Sequence, residues 1–365
     1  MRSLFDPVQL GPLTLKNRFV LSPMTRERCA LDGVPSEIHA AYYAQRATAG
    51  LIVTGNNRIS PNAACSPHSS GLHSPAQAAG YRLVTDAVHA AGGVIFAQLF
   101  HSGAGGHPDI LPDSGEPVSA SAVPWGGAVR TVAGSVPCVT PRALEVSEIQ
   151  DIVESYARSA RLAVEAGFDG VEIQAASGYL MEQFFSSRTN RRTDRYGGSV
   201  ANRCRILLEA YEAVAPVFGR DLTGVKISPE FNKYGTVVDD NPQETFGYIA
   251  GALSDQDAVY LNVADNSIET DYHALLRPLF RGLYIANVGF TPERAQAYIR
   301  DGKADMIAFG RLYIANPDLP ERVRTGAELN PLDPTTVYSG TGRGLLDYPT
   351  LNVPNRAVAE PVPGA

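Results

Sequence analysis

Apolar residues in this chain gather into short unbroken runs, and between the runs they recur every three or four positions. The runs lie at residues 18–22 (RFVLS), 50–54 (GLIVT), 93–99 (GVIFAQL), 170–174 (GVEIQ), 224–228 (GVKIS), 258–263 (AVYLNV), 282–288 (GLYIANV) and 305–310 (DMIAFG). A strand with one wet face alternates apolar and polar residues. These runs do not alternate, which predicts strands covered on both faces. Glycine at the entry of several suits a tight turn there.

The stretches between carry helix punctuation. Ser36 opens SEIHAAYYAQRATA, and Ser74 with Pro75 opens SPAQAAGYRLVTDAVHAAG, which stops at Gly92. Ser147 caps SEIQDIVESYARSARLAVEAG, which stops at Gly167, and Thr291 with Pro292 opens TPERAQAYIRDG, which stops at Gly302. Eight strands alternating with helices predict an α/β fold of the (β/α)8 TIM-barrel type, with residues 1–365 as one domain. The alternative is an open doubly wound sheet, but no strand is followed by a G-x-G-x-x-G turn. Two segments fall outside the repeat. DPVQLGPLTLKN alternates around Gly11 and Pro12 and predicts an N-terminal hairpin closing the barrel bottom. A long excursion after strand 3, residues 100–141, is rich in Gly, Pro and Ser. Such segments are usually functional lids or flexible excursions.

Composition narrows the function. The chain has 365 residues, 44% of them hydrophobic, enough for a large core. A net charge of -7 argues against a nucleic-acid surface. No run approaches the ~20 apolar residues of a membrane span, and the first twenty residues hold no signal-type apolar stretch. The expectation is a cytoplasmic protein with a small-molecule substrate and no membrane or nucleic-acid partner. Cys29, Cys65, Cys138 and Cys204 show no metal or redox spacing, so they read as reduced thiols, and no metal site is expected.

Barrel chemistry sits at the C-terminal ends of the strands. The polar ends here are SPMTR, TGNN, QLFH, QAASGY, KISP, NVGF and FGR. In the last, Gly310 lets backbone N–H groups approach an anion and Arg311 supplies a forked cation, which suits a phosphate. His101 has no partner at metal spacing and reads as a structural imidazole. GTGRG at 340–344 follows no strand and reads as a flexible loop. Trp125 is a candidate anchor for a lid over the site.

The stretches LFDPVQLGPLTLKNRFVLSPMTR, YYAQRATAGLIVT, FAQLFHSG, AGFDGVEI, NRRTDRYGGSVANRCR and AFGRLYIANPDLPERV, with a closing DYP, resemble the old yellow enzyme family of flavin-dependent barrel oxidoreductases. The resemblance covers nearly the whole chain. It implies bound FMN, NADPH or NADH as reductant, and hydride delivery to an activated alkene. It places Pro23 and Met24 beside the isoalloxazine and the Thr25 hydroxyl at the flavin C4 carbonyl. Gln98 would hold the pyrimidine edge with both amide atoms. Lys226 takes the place of a usual Arg near flavin N1, where a cation stabilises the anionic reduced ring. Asn56 stands where a small residue is usual, and Val288 where a glycine is usual. Gly289, Gly310 and Arg311 fall at the phosphate. The missing dinucleotide motif fits a family whose nucleotide enters the substrate site itself.

The substrate shell departs from the family pattern. The usual His-x-x-Asn-x-Tyr after strand 4 is Gln174-x-x-Ser177-x-Tyr179, and Phe100, Ala104 and Leu345 replace a usual Trp, Arg and aromatic. Gln174 and Ser177 are neutral donors expected to polarise a substrate carbonyl. Tyr179 is expected to protonate carbon beside a developing enolate, and Phe100 to line the substrate. In the competing reading Gln174 and Ser177 make local turn bonds and Tyr179 only packs. The expected function is FMN-dependent reduction of an enone-like small molecule. A flavin-dependent desaturase or isomerase, and a barrel that only binds a ligand, stay open, as do monomer and homodimer.

Overall fold

The eight apolar runs form eight parallel strands in the computed structural model, which describes residues 1–230, 238–338 and 342–351. They are β1 (Phe19–Leu21), β2 (Leu51–Val53), β3 (Ile95–Phe100), β4 (Gly170–Ala175), β5 (Thr223–Ile227), β6 (Tyr260–Ala264), β7 (Leu283–Asn287) and β8 (Met306–Phe309). Each pairs with the next, and β8 closes on β1 with Ile307 opposite Phe19. The result is the (β/α)8 TIM barrel that the alternation predicts.

The start of the chain seals one end. Val8–Leu10 pairs antiparallel with Leu13–Leu15 across Gly11, whose φ is +50°. Val8, Leu10 and Leu15 pack with Val20, Leu51, Phe96, Tyr260, Ile285 and Met306 in a cluster of their own, which fills the lower lumen. Gly170 and Gly224 make room for the Phe96 and Tyr260 rings, since a Cβ at either position would strike the ring. Truncating a buried aromatic such as Phe96 to alanine costs about 3–5 kcal/mol. A second and larger core lies between the strands and the outer helices.

Those helices are α1 (Glu37–Ala44), α2 (Pro75–Ala90), α3 (Val146–Glu165), α4 (Leu180–Phe185), α5 (Val200–Phe218), α6 (Pro242–Asp255), α7 (Tyr272–Leu276), α8 (Pro292–Arg300), α9 (Arg311–Ala315) and α10 (Leu319–Thr325). Ser74 Oγ and Thr291 Oγ1 accept the N–H groups of Gln77 and Arg294, the caps that the punctuation predicts. α3 departs from expectation. Its N-cap is Glu145, and the Glu148 carboxylate accepts the Glu145 N–H at 2.7 Å, so Ser147 lies inside the first turn.

The excursion after β3 is partly ordered by its own hairpin, Ala128–Thr131 with Gly134–Pro137. Arg130 in this hairpin pairs with Glu27, just beyond the β1 end, and so ties the excursion to the barrel mouth. Of the GTGRG stretch, Gly340 and Thr341 lie outside the described residues.

Candidate active site

The lumen changes character one layer above Phe96 and Tyr260. Gln98 Nε2 on β3 donates to Glu172 Oε1 on β4 at 2.6 Å, and Asn262 Nδ2 on β6 donates to Glu172 Oε2 at 2.9 Å. Asn287 Nδ2 on β7 donates to Asn262 Oδ1 and to Ser22 Oγ, both at 3.1 Å. A chain of hydrogen bonds therefore crosses the lumen as a polar floor. Glu172 is fully buried, and burial pushes its carboxyl above the usual range, against the pull of Lys226 and the amide donors. Lys226 on β5 makes no hydrogen bond or ion pair with the described residues. Burial lowers its ammonium and Glu172 pulls it back up, so each charge favours the charged form of the other.

Around this floor, several strand ends carry groups with few or no partners among the described residues. The Thr25 hydroxyl, half-buried after β1, has no hydrogen-bond partner among the described residues. Gly55 after β2 passes so close that a Cβ would come within 2.8 Å of the Met24 carbonyl, which fixes the path of Pro23, Met24 and Thr25. After β7, Val288 and Gly289 take φ of +76° and +71°. That conformation suits glycine and strains a β-branched residue. The Val288 N–H donates to Asn287 Oδ1 at 2.9 Å, and Arg294 Nη1 holds the Gly289 carbonyl at 2.9 Å. Beside this turn, Gly310 leads into α9, and Arg311 is exposed with no partner among the described residues.

The fourth strand end is the most elaborate. Gln174 is buried, its Nε2 donates to the Ala176 carbonyl at 2.8 Å, and its Oε1 has no partner among the described residues. One amide hydrogen thus serves the local turn, leaving an unpaired acceptor and a second N–H. Ser177 takes φ of +62°, donates its N–H to Ser228 Oγ at 2.6 Å, and keeps a hydroxyl with no described partner. Tyr179 is half-buried. Phe100 meets its ring edge-on at 4.7 Å, and Trp125 stacks on it at 5.5 Å. The Cys65 thiol hydrogen-bonds with the Tyr179 hydroxyl, and burial pushes that thiol up to about 11.

The sequence-predicted residues therefore converge on one mouth, with qualifications. Phe100, expected to line the substrate, is fully buried and braces Tyr179 from behind. Gln98, expected to spend both amide atoms on the cofactor, spends an N–H on Glu172. Asn56 is half-buried and its carbonyl accepts from Ser70 Oγ at 3.1 Å. Trp125 is buried in the excursion, and its indole N–H donates to the Gly178 carbonyl at 2.6 Å. His101 Nδ1 accepts the Gly103 N–H, and burial lowers the ring to about 4. All four cysteines are free. Glu172, Asn262 and Asn287 were missed, although a glutamate inside the apolar run GVEIQ signals a buried, partnered charge. No sequence signal marks Cys65.

Comparison with known proteins decides the affiliation. A family model described as the NADH:flavin oxidoreductase / NADH oxidase family matches residues 3–330. The chain belongs to that family. It is 38% identical to 12-oxophytodienoate reductase 7 of Oryza sativa subsp. japonica, over 96% of this chain and 95% of the relative. It is 36% identical to a probable flavin mononucleotide-dependent alkene reductase of Leishmania infantum, over 95% of this chain and 97% of that one. The structure of morphinone reductase in complex with tetrahydroNAD matches with a TM-score of 0.93 and 43% identity, over 96% of this chain and 98% of that one. This old yellow enzyme-type protein is an NAD(P)H:flavin oxidoreductase of the ene-reductase kind, with FMN as cofactor. That sets aside the barrel that only binds a ligand. The residues at the mouth fit FMN on their own chemistry. Among the described residues, Arg311 makes no ion pair or hydrogen bond, Lys226 feels only the charge of Glu172, the Thr25 hydroxyl has no partner, and the left-handed Val288–Gly289 turn follows β7, the strand paired with β8 that leads into Gly310 and Arg311.

Proposed function

We propose that this oxidoreductase reduces the carbon–carbon double bond of an enone-like small molecule, with Tyr179 as the proton donor. Bound at the mouth, FMN supplies reversible two-electron chemistry between the nicotinamide nucleotide and the alkene. Pro23, Met24, Thr25, Asn56 and Gln98 would hold the ring, and Val288, Gly289, Gly310 and Arg311 the phosphate. Lys226 would set positive charge near N1. Ser177 O–H and the second N–H of Gln174 would polarise the substrate carbonyl. The unpaired Gln174 Oε1 would accept from the carboxamide of the nicotinamide when the nucleotide occupies the same place, since a buried acceptor left unmade is costly. The four free thiols suit a reducing cytoplasm.

The observation that carries this reading is the brace around Tyr179, with one ring edge-on to it, another stacked on it, and its hydroxyl hydrogen-bonded to Cys65. A phenol held by two rings and a hydrogen bond supports an aimed role over mere packing. Tyr179→Phe should leave flavin reduction by the nucleotide intact and slow the oxidation of reduced flavin by an alkene, typically by about 10²–10⁴-fold. Stopped-flow absorbance separates the two halves. An alkene half-reaction at the wild-type rate would remove Tyr179 as the acid.

A further inference from the structure

We infer that Glu182 is a positioning residue that sets the aim of Tyr179 by clamping the loop in front of it, and that the clamp responds to pH. This rests on the reading of Tyr179 as the proton donor. The loop is held in an unusual shape. Ser177 and Gly178 are both left-handed, with φ of +62° and +77°. A serine in that region needs something to hold it. The holder is a side chain four residues on. Glu182 Oε2 accepts the Gly178 N–H at 2.6 Å and the Ser228 hydroxyl at 3.1 Å, and Ser228 Oγ in turn accepts the Ser177 N–H at 2.6 Å. One carboxylate oxygen thus gathers two successive loop amides, one directly and one through Ser228. The carbonyl of the same residue is pinned as well. The Gly178 carbonyl accepts from the Trp125 indole at 2.6 Å and from Gln183 Nε2 at 2.9 Å. Gln183 also holds the excursion, accepting from the Ala104 N–H at 3.0 Å and the Ser119 hydroxyl at 2.9 Å. The next residue after this pinned peptide is Tyr179.

Of these anchors, Glu182 is the one that titrates in the working range. It is 6% exposed, and burial pushes its carboxyl up to about 8, with only the bonds from Gly178 and Ser228 pulling it down. The elements around α4 carry Glu172 on β4, Lys226 on β5, Arg203 and Cys204 on α5, and His101 at the end of β3. None of these offsets the burial. Arg203 is spent on Asp239 and the Phe185 carbonyl, and His101 is held near 4 by burial. Ionised, Glu182 is a stronger acceptor for both donors and tightens the clamp. Protonated, it holds the loop more loosely.

The chain supplies its own probe. It contains a single tryptophan, and that residue, Trp125, is bonded to the clamped carbonyl and stacked on Tyr179. In the flavin-loaded protein, Trp125 fluorescence followed from pH 6 to 9.5 should show a step with its midpoint at about 8, as should the rate of the alkene half-reaction. Glu182→Gln keeps a neutral acceptor oxygen without the titration, so it should fold, hold the alkene rate near the low-pH wild-type value at every pH and lose both steps. Glu182→Leu, with no acceptor, should slow the alkene half-reaction by about tenfold or more while sparing flavin reduction by the nucleotide. A wild-type protein without the optical step, or a step that persists in Glu182→Gln, overturns the clamp. An optical step without a kinetic one overturns the positioning role. The optical titration does not depend on which group donates the proton. A wild-type alkene rate in Tyr179→Phe would therefore fell the acid assignment while leaving the optical result to be judged separately.

Discussion

Burial lowers the Lys226 ammonium, and Glu172 beneath it pulls back toward the charged form. A cation at that height on β5 favours the anionic reduced flavin, so Lys226→Met should lower the flavin reduction potential. Equilibration with a reference dye measures it, and an unchanged potential would place the controlling charge elsewhere. Arg311 differs in that it is exposed and has nothing to hold among the described residues. Its worth is expressed only when a phosphate arrives. A charged hydrogen bond contributes roughly 1.5–3 kcal/mol, so Arg311→Ala should weaken FMN binding by about one to two orders of magnitude. Titration of the flavin-stripped protein, followed by flavin fluorescence, tests this, and equal affinity would move the phosphate to another part of the mouth. Val288 is a third case, a β-branched side chain at φ +76° in the same turn. The left-handed region costs a side-chain-bearing residue about 1–2 kcal/mol, which Val288→Gly would recover in part. A higher Tm for that variant is expected. A clearly lower one would mean that the valine side chain packs well enough to outweigh the strain.

At the level of elements, the barrel was legible because its strands are buried on both faces and its helices are punctuated, so period and capping agree. The exceptions have physical causes. Ser147 looked like the α3 cap, but Glu148 reaches back to the Glu145 N–H and the helix begins earlier. The hairpin at Ala128–Thr131 has four-residue strands and no strong turn dipeptide, so nothing in its sequence rose above the surrounding Gly-rich stretch. Candidate mouth residues could be listed from strand ends, but of the floor only Gln98 and the glutamate in GVEIQ left a mark in the sequence. Asn262 and Asn287 sit inside apolar runs, and their value depends on distances across the lumen that no spacing along the chain records. α4 adds a consequence for stability. The folded carboxyl of Glu182, at about 8, lies above its ordinary value of 4.5. It therefore contributes stability that is fully present below about 4.5 and lost as the pH rises through about 8. The gap corresponds to at most roughly 4–5 kcal/mol. Calorimetric Tm should fall between pH 6 and 9 more steeply for the wild type than for Glu182→Gln, and parallel falls would show that Glu182 does not titrate in that range.

At the scale of the whole molecule, the closed sheet matters most. FMN contacts are expected from the ends of β1, β2, β3, β5, β7 and β8, while β8 pairs with β1 and the hairpin fills the other end of the lumen. A ligand that touches six strands of one closed sheet stabilises the ring as a unit, because no strand can leave without opening its neighbours. The coupling follows mass action, and at a free FMN concentration a hundred times the Kd it amounts to about 2.7 kcal/mol. For a chain of this length that corresponds to a rise in Tm of roughly 3–4 °C over the flavin-stripped protein. Riboflavin carries the ring without the phosphate. It should give a smaller rise at the same concentration, and the difference between the two ligands should vanish in Arg311→Ala. Thermal scans of wild type and variant with each ligand decide the matter. Equal shifts from FMN and riboflavin in the wild type would show that the Val288–Gly289 turn and Arg311 do not grip the phosphate, and the assignment of that end of the mouth would fall.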